Sequence, residues 1–304
     1  MEEKGLIKQF WVAVVAVALL IHVSVSVPFV VLHGITAACS DPTNANFTQL
    51  LMNLSGSQGS CLEIGDGFFA SMLMPLTQQA EIACEKVKQM KELSQGYNIV
   101  GRSQMEQGNL VARGLIEFCD GGPPVYNYIS LGGPHAGISS VPTCGAQMPG
   151  LVCDAFDALV KADVYSEFVQ DHFAPSGYFK NPMDMKRYLE NSKYLPKLSN
   201  EIPNQRNSTY KDRFTSLHNL VLVKFQNETI IIPNDSTWFG FYPDGQVEPV
   251  LPANKTALYT EDWIGLKTLD AAGKVKFVSV PGGHLEMADH DVLKYIVPYL
   301  QNQS

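Results

Sequence analysis

Five short runs of apolar residues constrain this chain more than any other feature: residues 27–32 (VPFVVL), 97–100 (YNIV), 125–131 (VYNYISL), 220–225 (LVLVKF) and 275–280 (VKFVSV). They are rich in β-branched and aromatic side chains and are bounded by Gly, Pro, Asn or His. A strand with one wet face alternates, so continuous apolar runs suit strands covered on both faces. Helical patterns fall between them at 69–91, 110–118 and 292–300. This alternation predicts an α/β fold, a doubly wound and mostly parallel sheet. Residues from about 134 to 216 break the rhythm, being rich in Pro, Tyr and charge, and they predict a helical cap inserted between two core strands. Composition agrees with a packed globule. Of 304 residues, 45% are hydrophobic and 17% charged, which excludes disorder and coiled coil. With 22 basic against 30 acidic residues and no basic cluster, nucleic acid is excluded as a partner.

The N-terminus predicts export. Residues 11–21 (WVAVVAVALLI) form an apolar run preceded by Lys4 and Lys8 and followed by Ser24 and Ser26, the pattern of a cleaved signal spanning residues 1–26. His22 and the serines end the run short of the roughly 20 residues a stable membrane span needs. The domain proper is then 27–304. Seven Asn-x-Ser/Thr triplets begin at Asn46, Asn53, Asn207, Asn227, Asn234, Asn254 and Asn302, where chance supplies about 1.7. Six cysteines, Cys39, Cys61, Cys84, Cys119, Cys144 and Cys153, lack any C-x-x-C spacing, so in an oxidising compartment they are expected to pair. Proximity favours Cys144 with Cys153, and spacing leaves the other pairings open.

In an open parallel sheet, functional groups gather beyond the carboxyl ends of the strands. Three residues fit together there. Ser103 follows the YNIV run and precedes a helical pattern, the setting of a nucleophile elbow; Glu228 comes after LVLVKF; His284 comes after VKFVSV in Pro-Gly-Gly-His. A serine hydroxyl is a weak nucleophile, so His284 is needed to take its proton and Glu228 to orient the imidazole. The backbone N–H groups of Ile35, after His33-Gly34, and of Gln104 are the expected oxyanion donors. Each residue also has a plainer reading: a helix cap, a solvated loop histidine, part of a glycosylation triplet. Their shared placement and the order Ser, acid, His favour chemistry. Asp235 and Asp244 are competing acids, and Asp289-His290-Asp291 reads as the polar start of the last helix. No dinucleotide, P-loop or zinc-protease motif is present, and neither cofactor nor metal is required.

These residues resemble the lysosomal palmitoyl-protein thioesterases over nearly the whole mature chain. The likeness runs through Val31-Leu32-His33-Gly34, Gln95-Gly96-Tyr97-Asn98, the segment 129–137 (ISLGGPHAG), Val223-Lys224-Phe225, Trp238-Phe239-Gly240-Phe241-Tyr242, Leu258-Tyr259-Thr260-Glu261-Asp262 and His284-Leu285. The resemblance implies an α/β-hydrolase with a helical cap over a hydrophobic groove for a long-chain acyl group, acting on S-acylated proteins or peptides through Ser103, Glu228 and His284. It also implies disulfides Cys84–Cys119 and Cys144–Cys153, leaving Cys39 to Cys61, glycans at Asn207 and Asn227, and a lysosomal, vacuolar or extracellular destination. Two departures stand out. Glu228 replaces the family's Asp, and Met105-Glu106-Gln107 stands between Gln104 and Gly108 where the family reads Gly-x-Ser-Gln-Gly. Met105 then falls where a small residue lets the helix approach its neighbours. A lipid carboxylesterase and a catalytically impaired acyl-binding homologue are the alternatives.

Overall fold

The computed structural model describes residues 26–34, 37–65, 68–102, 107–140, 154 and 163–301. The expected signal therefore lies outside the described residues apart from Ser26, as do Ile35, Ser103, Gln104, Met105, Glu106, Cys144 and Cys153. Six strands form one sheet: β1 (Phe29–Leu32), β2 (Gly59–Cys61), β3 (Tyr97–Arg102), β4 (Val125–Leu131), β5 (Asn219–Phe225) and β6 (Val275–Val280). Their order is β2-β1-β3-β4-β5-β6 and every neighbouring pair is parallel. The expected α/β architecture is present.

Each central strand divides its side chains between two cores. Val30 and Leu32 of β1, with Leu220 and Leu222 of β5, join the larger cluster; Phe29, Val31, Val221, Val223 and Phe225 join the other. Helices cover both. The smaller core is closed by α1 (Pro42–Ser55), through Leu51, and the larger by α3 (Leu76–Gln89) and α4 (Gln107–Phe118). The pattern at 69–91 is not one helix but α2 (Phe68–Leu73) followed by α3, because Pro75 lacks the N–H that a continuous helix needs. From β4 to β5 the chain passes through short helices, among them α5 (Glu167–His172), α6 (Met185–Asn191), α7 (Leu195–Leu198) and α8 (Ser208–Thr215). After β5 come α9 (Ala257–Thr260) and α10 (Leu266–Ala271), and after β6 comes α11 (Asp289–Tyr295). The last helix starts at Asp289 with two aspartates in its first turn, where the helix dipole favours them, and gives way to a 3-10 turn at Val297–Tyr299 that contains Pro298.

The start of α4 is pressed against the sheet. A Cβ on Gly108 would lie 2.5 Å from the Arg102 carbonyl oxygen and 2.6 Å from those of both His33 and Leu32. Only glycine allows so close an approach. Deeper in the same helix, Arg113 and Glu117 form a 2.8 Å ion pair with neither side chain exposed. Arg113 also donates to the carbonyls of His135 (3.2 Å) and Leu198 (3.0 Å), tying α4 to the β4 exit and to α7.

Candidate active site

Two of the three residues expected to carry chemistry meet at the carboxyl ends of β5 and β6. His284 Nδ1 lies 2.6 Å from Glu228 Oε2, with 8% of the histidine side chain exposed and none of the glutamate's. The pairing of the two strands continues beyond their ends: Gln226 N–H donates to Val280 O and Asn227 N–H to Gly282 O, each at 3.0 Å. That continuation brings the turn holding Glu228 beside the loop holding His284. The loop turns back at Gly282, with φ 102°, and Leu285 adopts φ 60°, a region that a branched side chain rarely enters. Gly283 N–H donates to Glu286 Oε2 at 2.7 Å and braces the turn.

Glu228 is held at both oxygens. Oε1 accepts the backbone N–H groups of Ile230 (2.7 Å) and Ile231 (3.3 Å), which compensate for burying a carboxylate and leave Oε2 for the imidazole. With Nδ1–H donated to the carboxylate, Nε2 is the acceptor nitrogen, the tautomer a general base needs. The longer Glu side chain thus reaches its histidine without loss of contact. Gly132, φ 63°, lets the ring sit close: a Cβ there would be 3.3 Å from His284 Cε1. The competing acid Asp235 instead pairs with Lys224 at 3.3 Å.

Ser103 and Gln104 immediately follow Arg102, the last residue of β3. The Arg102 guanidinium donates to Asn44 Oδ1 (2.9 Å) and Thr43 O (3.2 Å) and lies over the Phe47 ring, fastening the end of β3 to α1. Burial lowers its pKa to about 10. Beyond residues 103–106, which lie outside the described residues, Gly108 makes a close approach to the backbone at the ends of β1 and β3. Ser130, a second serine at a strand end, bonds His135 Nε2 at 2.8 Å, but both residues are wholly buried and His135 stacks on Phe239. Burial, aided by Arg113, holds the His135 imidazole well below its usual range. This pair is part of the core.

Among the described residues, His33, Cys39 and Glu63 place possible metal-ligand atoms within 4.8 Å of one another. Cys39 is bonded to Cys61, however, and offers no thiolate. Cys84 is bonded to Cys119, as the resemblance implied. Asn227 is exposed, and half-buried Asn207 caps α8, its Oδ1 accepting Thr209 N–H at 2.9 Å. A cavity of about 290 Å³ opens between the helices after β4 and the β5–β6 connection, walled by Met185, Leu189, Phe241, Leu258 and Trp263. No helix among the described residues is long and apolar enough to cross a membrane.

Residues 28–284 match the family model described as palmitoyl protein thioesterase. Palmitoyl-protein thioesterase 1 of Caenorhabditis elegans is 35% identical over 271 residues, covering 86% of this chain and 87% of that one. A Drosophila melanogaster homologue of a lysosomal thioesterase is 30% identical over 213 residues, 68% of this chain and 69% of the relative. Among solved structures, a ferulic acid esterase superposes with a TM-score of 0.50 at 11% identity, covering 90% of this chain and 84% of the other, which shows a shared fold.

Proposed function

Because the chain belongs to the palmitoyl-protein thioesterase family, we propose that it removes long-chain acyl groups from S-acylated cysteines through Ser103, His284 and Glu228. The observation that carries this reading is the 2.6 Å contact of His284 Nδ1 with a buried carboxylate at the ends of two adjacent parallel strands. Ser103 Oγ attacks the thioester carbonyl carbon while His284 Nε2 takes its proton. The carbonyl oxygen becomes an oxyanion, met by the backbone N–H groups of Ile35 and Gln104. The C–S bond then breaks, His284 returns the proton to the departing cysteine sulfur, and an acyl-serine ester remains. Water, deprotonated by His284, attacks that ester; the acyl C–Oγ bond breaks, His284 returns the proton to Ser103 Oγ, and the fatty acid leaves. Every proton is accounted for without metal or cofactor.

The acyl chain is assigned to the cavity beside Met185, Leu189 and Phe241, whose apolar side chains suit it and share the lining with Lys180, Glu201 and Asp244. Phe241→Arg tests this: it should raise KM for a palmitoyl thioester and leave an acetyl thioester unaffected, and equal effects on both would refute the assignment. The N-terminal apolar run, the disulfides and the glycosylation triplets support delivery through the secretory route to a lysosome or vacuole, or outside the cell.

Palmitoyl-thioester and palmitoyl-oxoester turnover, measured side by side for the wild type and Ser103→Ala, test the whole reading. Thioester hydrolysis lost in the alanine variant, together with labelling by a serine-reactive probe, supports it. Preference for the oxoester would make the protein a carboxylesterase. The five-residue step from Ser103 to Gly108 favours one further reading, a weak or acyl-binding homologue; acyl-thioester binding without turnover would establish it.

A further inference from the structure

Glu63 lies two residues beyond β2, outside the catalytic pair, yet its carboxylate joins two parts of the chain leaving β1. Oε1 lies 2.8 Å from His33 Nε2, and Oε2 accepts the Cys39 N–H at 2.6 Å. The other ring nitrogen of His33, Nδ1, is 2.9 Å from Gly34 O. Cys39 is bonded to Cys61, at the end of β2, and Lys86 donates to the Glu63 carbonyl at 2.6 Å. His33 is 7% exposed and Glu63 half-buried. An exposed ion pair of this kind is worth little, but here one partner is buried and each nitrogen of its ring already has an oxygen to bond. The carbonyl oxygens of Leu32 and His33 in turn form the seat on which Gly108, in the first turn of α4, rests.

We infer that Glu63 is a positioning residue of the thioesterase centre. Through His33 it fixes the exit of β1, and through that exit the seat of α4, so that the two chain segments flanking the oxyanion donors keep their mutual alignment. The inference rests on the functional reading above. Glu63 bonds the β1 exit rather than the His284–Glu228 pair; its contribution is the alignment of that exit with the start of α4.

The chemistry of the contacts supplies a rescue. Both bonds of the His33 ring to oxygens are held when the ring carries two N–H groups. In Glu63→Gln, a neutral ring still donates Nδ1–H to Gly34 and accepts an amide N–H at Nε2, while the amide oxygen takes the Cys39 N–H. Glu63→Ala keeps only the His33–Gly34 bond and loses both contacts made by the carboxylate. Palmitoyl-thioester hydrolysis is measured for the full chain and both variants, well below their melting temperatures so that the folded fraction is constant. The expected result is a kcat lowered about 10- to 100-fold in Glu63→Ala with KM within about twofold, and recovery of most of that rate in Glu63→Gln. Such a split separates transition-state alignment from loss of folded protein or of substrate binding. Wild-type kcat in Glu63→Ala, a loss confined to KM, or a glutamine variant as impaired as the alanine one would overturn the inference. Should Glu63→Ala not fold, His33→Gln carries the same test, since its single amide cannot reach Glu63 and Gly34 together: reduced kcat at constant KM supports the role and unchanged kcat overturns it. A wild type without thioester turnover refutes the functional reading first, and this inference with it.

Discussion

Gly108→Ala sets two calculable effects against each other. Alanine is the better helix former by about 1 kcal/mol, so propensity alone predicts a more stable α4. The new methyl group, however, would stand 2.5 Å from Arg102 O and 2.6 Å from the carbonyl oxygens of Leu32 and His33. Ordinary contact begins at 3.4 Å, so the shortfall is about 0.9 Å, and it is against backbone on two sides. No rotamer relieves it, because β1 and β3 are hydrogen-bonded to each other through Val31–Val100 and Leu32–Gly101. The helix start must withdraw. Overpacking of this size costs about 1–3 kcal/mol, which outweighs the propensity gain. A displacement near 1 Å at the first turn after the nucleophile costs on the order of 100-fold in rate. The expected result is a lower urea midpoint with unchanged slope, and kcat/KM for a palmitoyl thioester reduced about 100-fold. Gly121→Ala is the control: it has open space around it, and only its φ of 69° opposes a side chain, so stability falls while kcat/KM holds. If Gly108→Ala kept wild-type kcat/KM and midpoint, α4 would not be seated on the exit of β1, and the coupling argued for Glu63 would fail with it.

Deleting Met105, Glu106 and Gln107 puts Ser103 two residues before the seated glycine and should raise palmitoyl-thioesterase kcat/KM at least about tenfold, equivalent to about 1.4 kcal/mol of barrier; equal values would show that the longer connection serves as well. Replacing Cys84 and Cys119 by serine opens a loop of 35 residues around Ser103 and should cost roughly 3 to 4 kcal/mol in urea unfolding; an unchanged midpoint would show the link to be dispensable. Burial pushes the Glu117 carboxyl up to about 7 against the lowering influence of Arg113, so the folded chain holds this proton more tightly than the unfolded one. The stability it contributes is complete below the ordinary carboxyl range and is lost as pH rises to about 7. Glu117→Gln should therefore reduce the difference in unfolding free energy between pH 5 and pH 8, and an unaltered difference would place the titration elsewhere.

What the sequence disclosed about the fold follows from where burial is two-sided. Largely apolar runs became β1, β3, β4 and β5, buried on both faces, and β6, an edge strand whose middle residues Lys276 to Ser279 are only half-buried or exposed, whereas β2 is Gly-Ser-Cys and has no apolar run to read. It pairs because Gly59 leaves room for the Phe29 ring, which a Cβ would meet at 2.1 Å, a contact between residues thirty positions apart. Helix α1 escaped for a related reason. Its Asn and Thr residues are poor helix formers, and it is held by Pro42 at its start, by Gly56 at φ 69° after its end, and by Leu51 in the core. The Arg113–Glu117 pair carries an i, i+4 spacing that on a surface helix means solvent; only the packing of α7 and the β4 exit around it makes it interior.

The site divides along the same line. Glu228 and His284 were legible because each follows a strand whose pattern is unmistakable, and parallel neighbours must deliver their ends to one edge. Their supports were not: Ile230 and Ile231 hold the carboxylate through backbone N–H groups that any residue would supply. Glu63 was invisible for the opposite reason, being a single glutamate after a strand with no apolar signature. Counting from Ser103 assigns the small-residue position to Met105, which lies outside the described residues; among the described residues a close approach to three backbone oxygens belongs to Gly108. A glycine is located by what surrounds it, so its distance along the chain from the nucleophile is a variable that the fold leaves open and the chemistry tests.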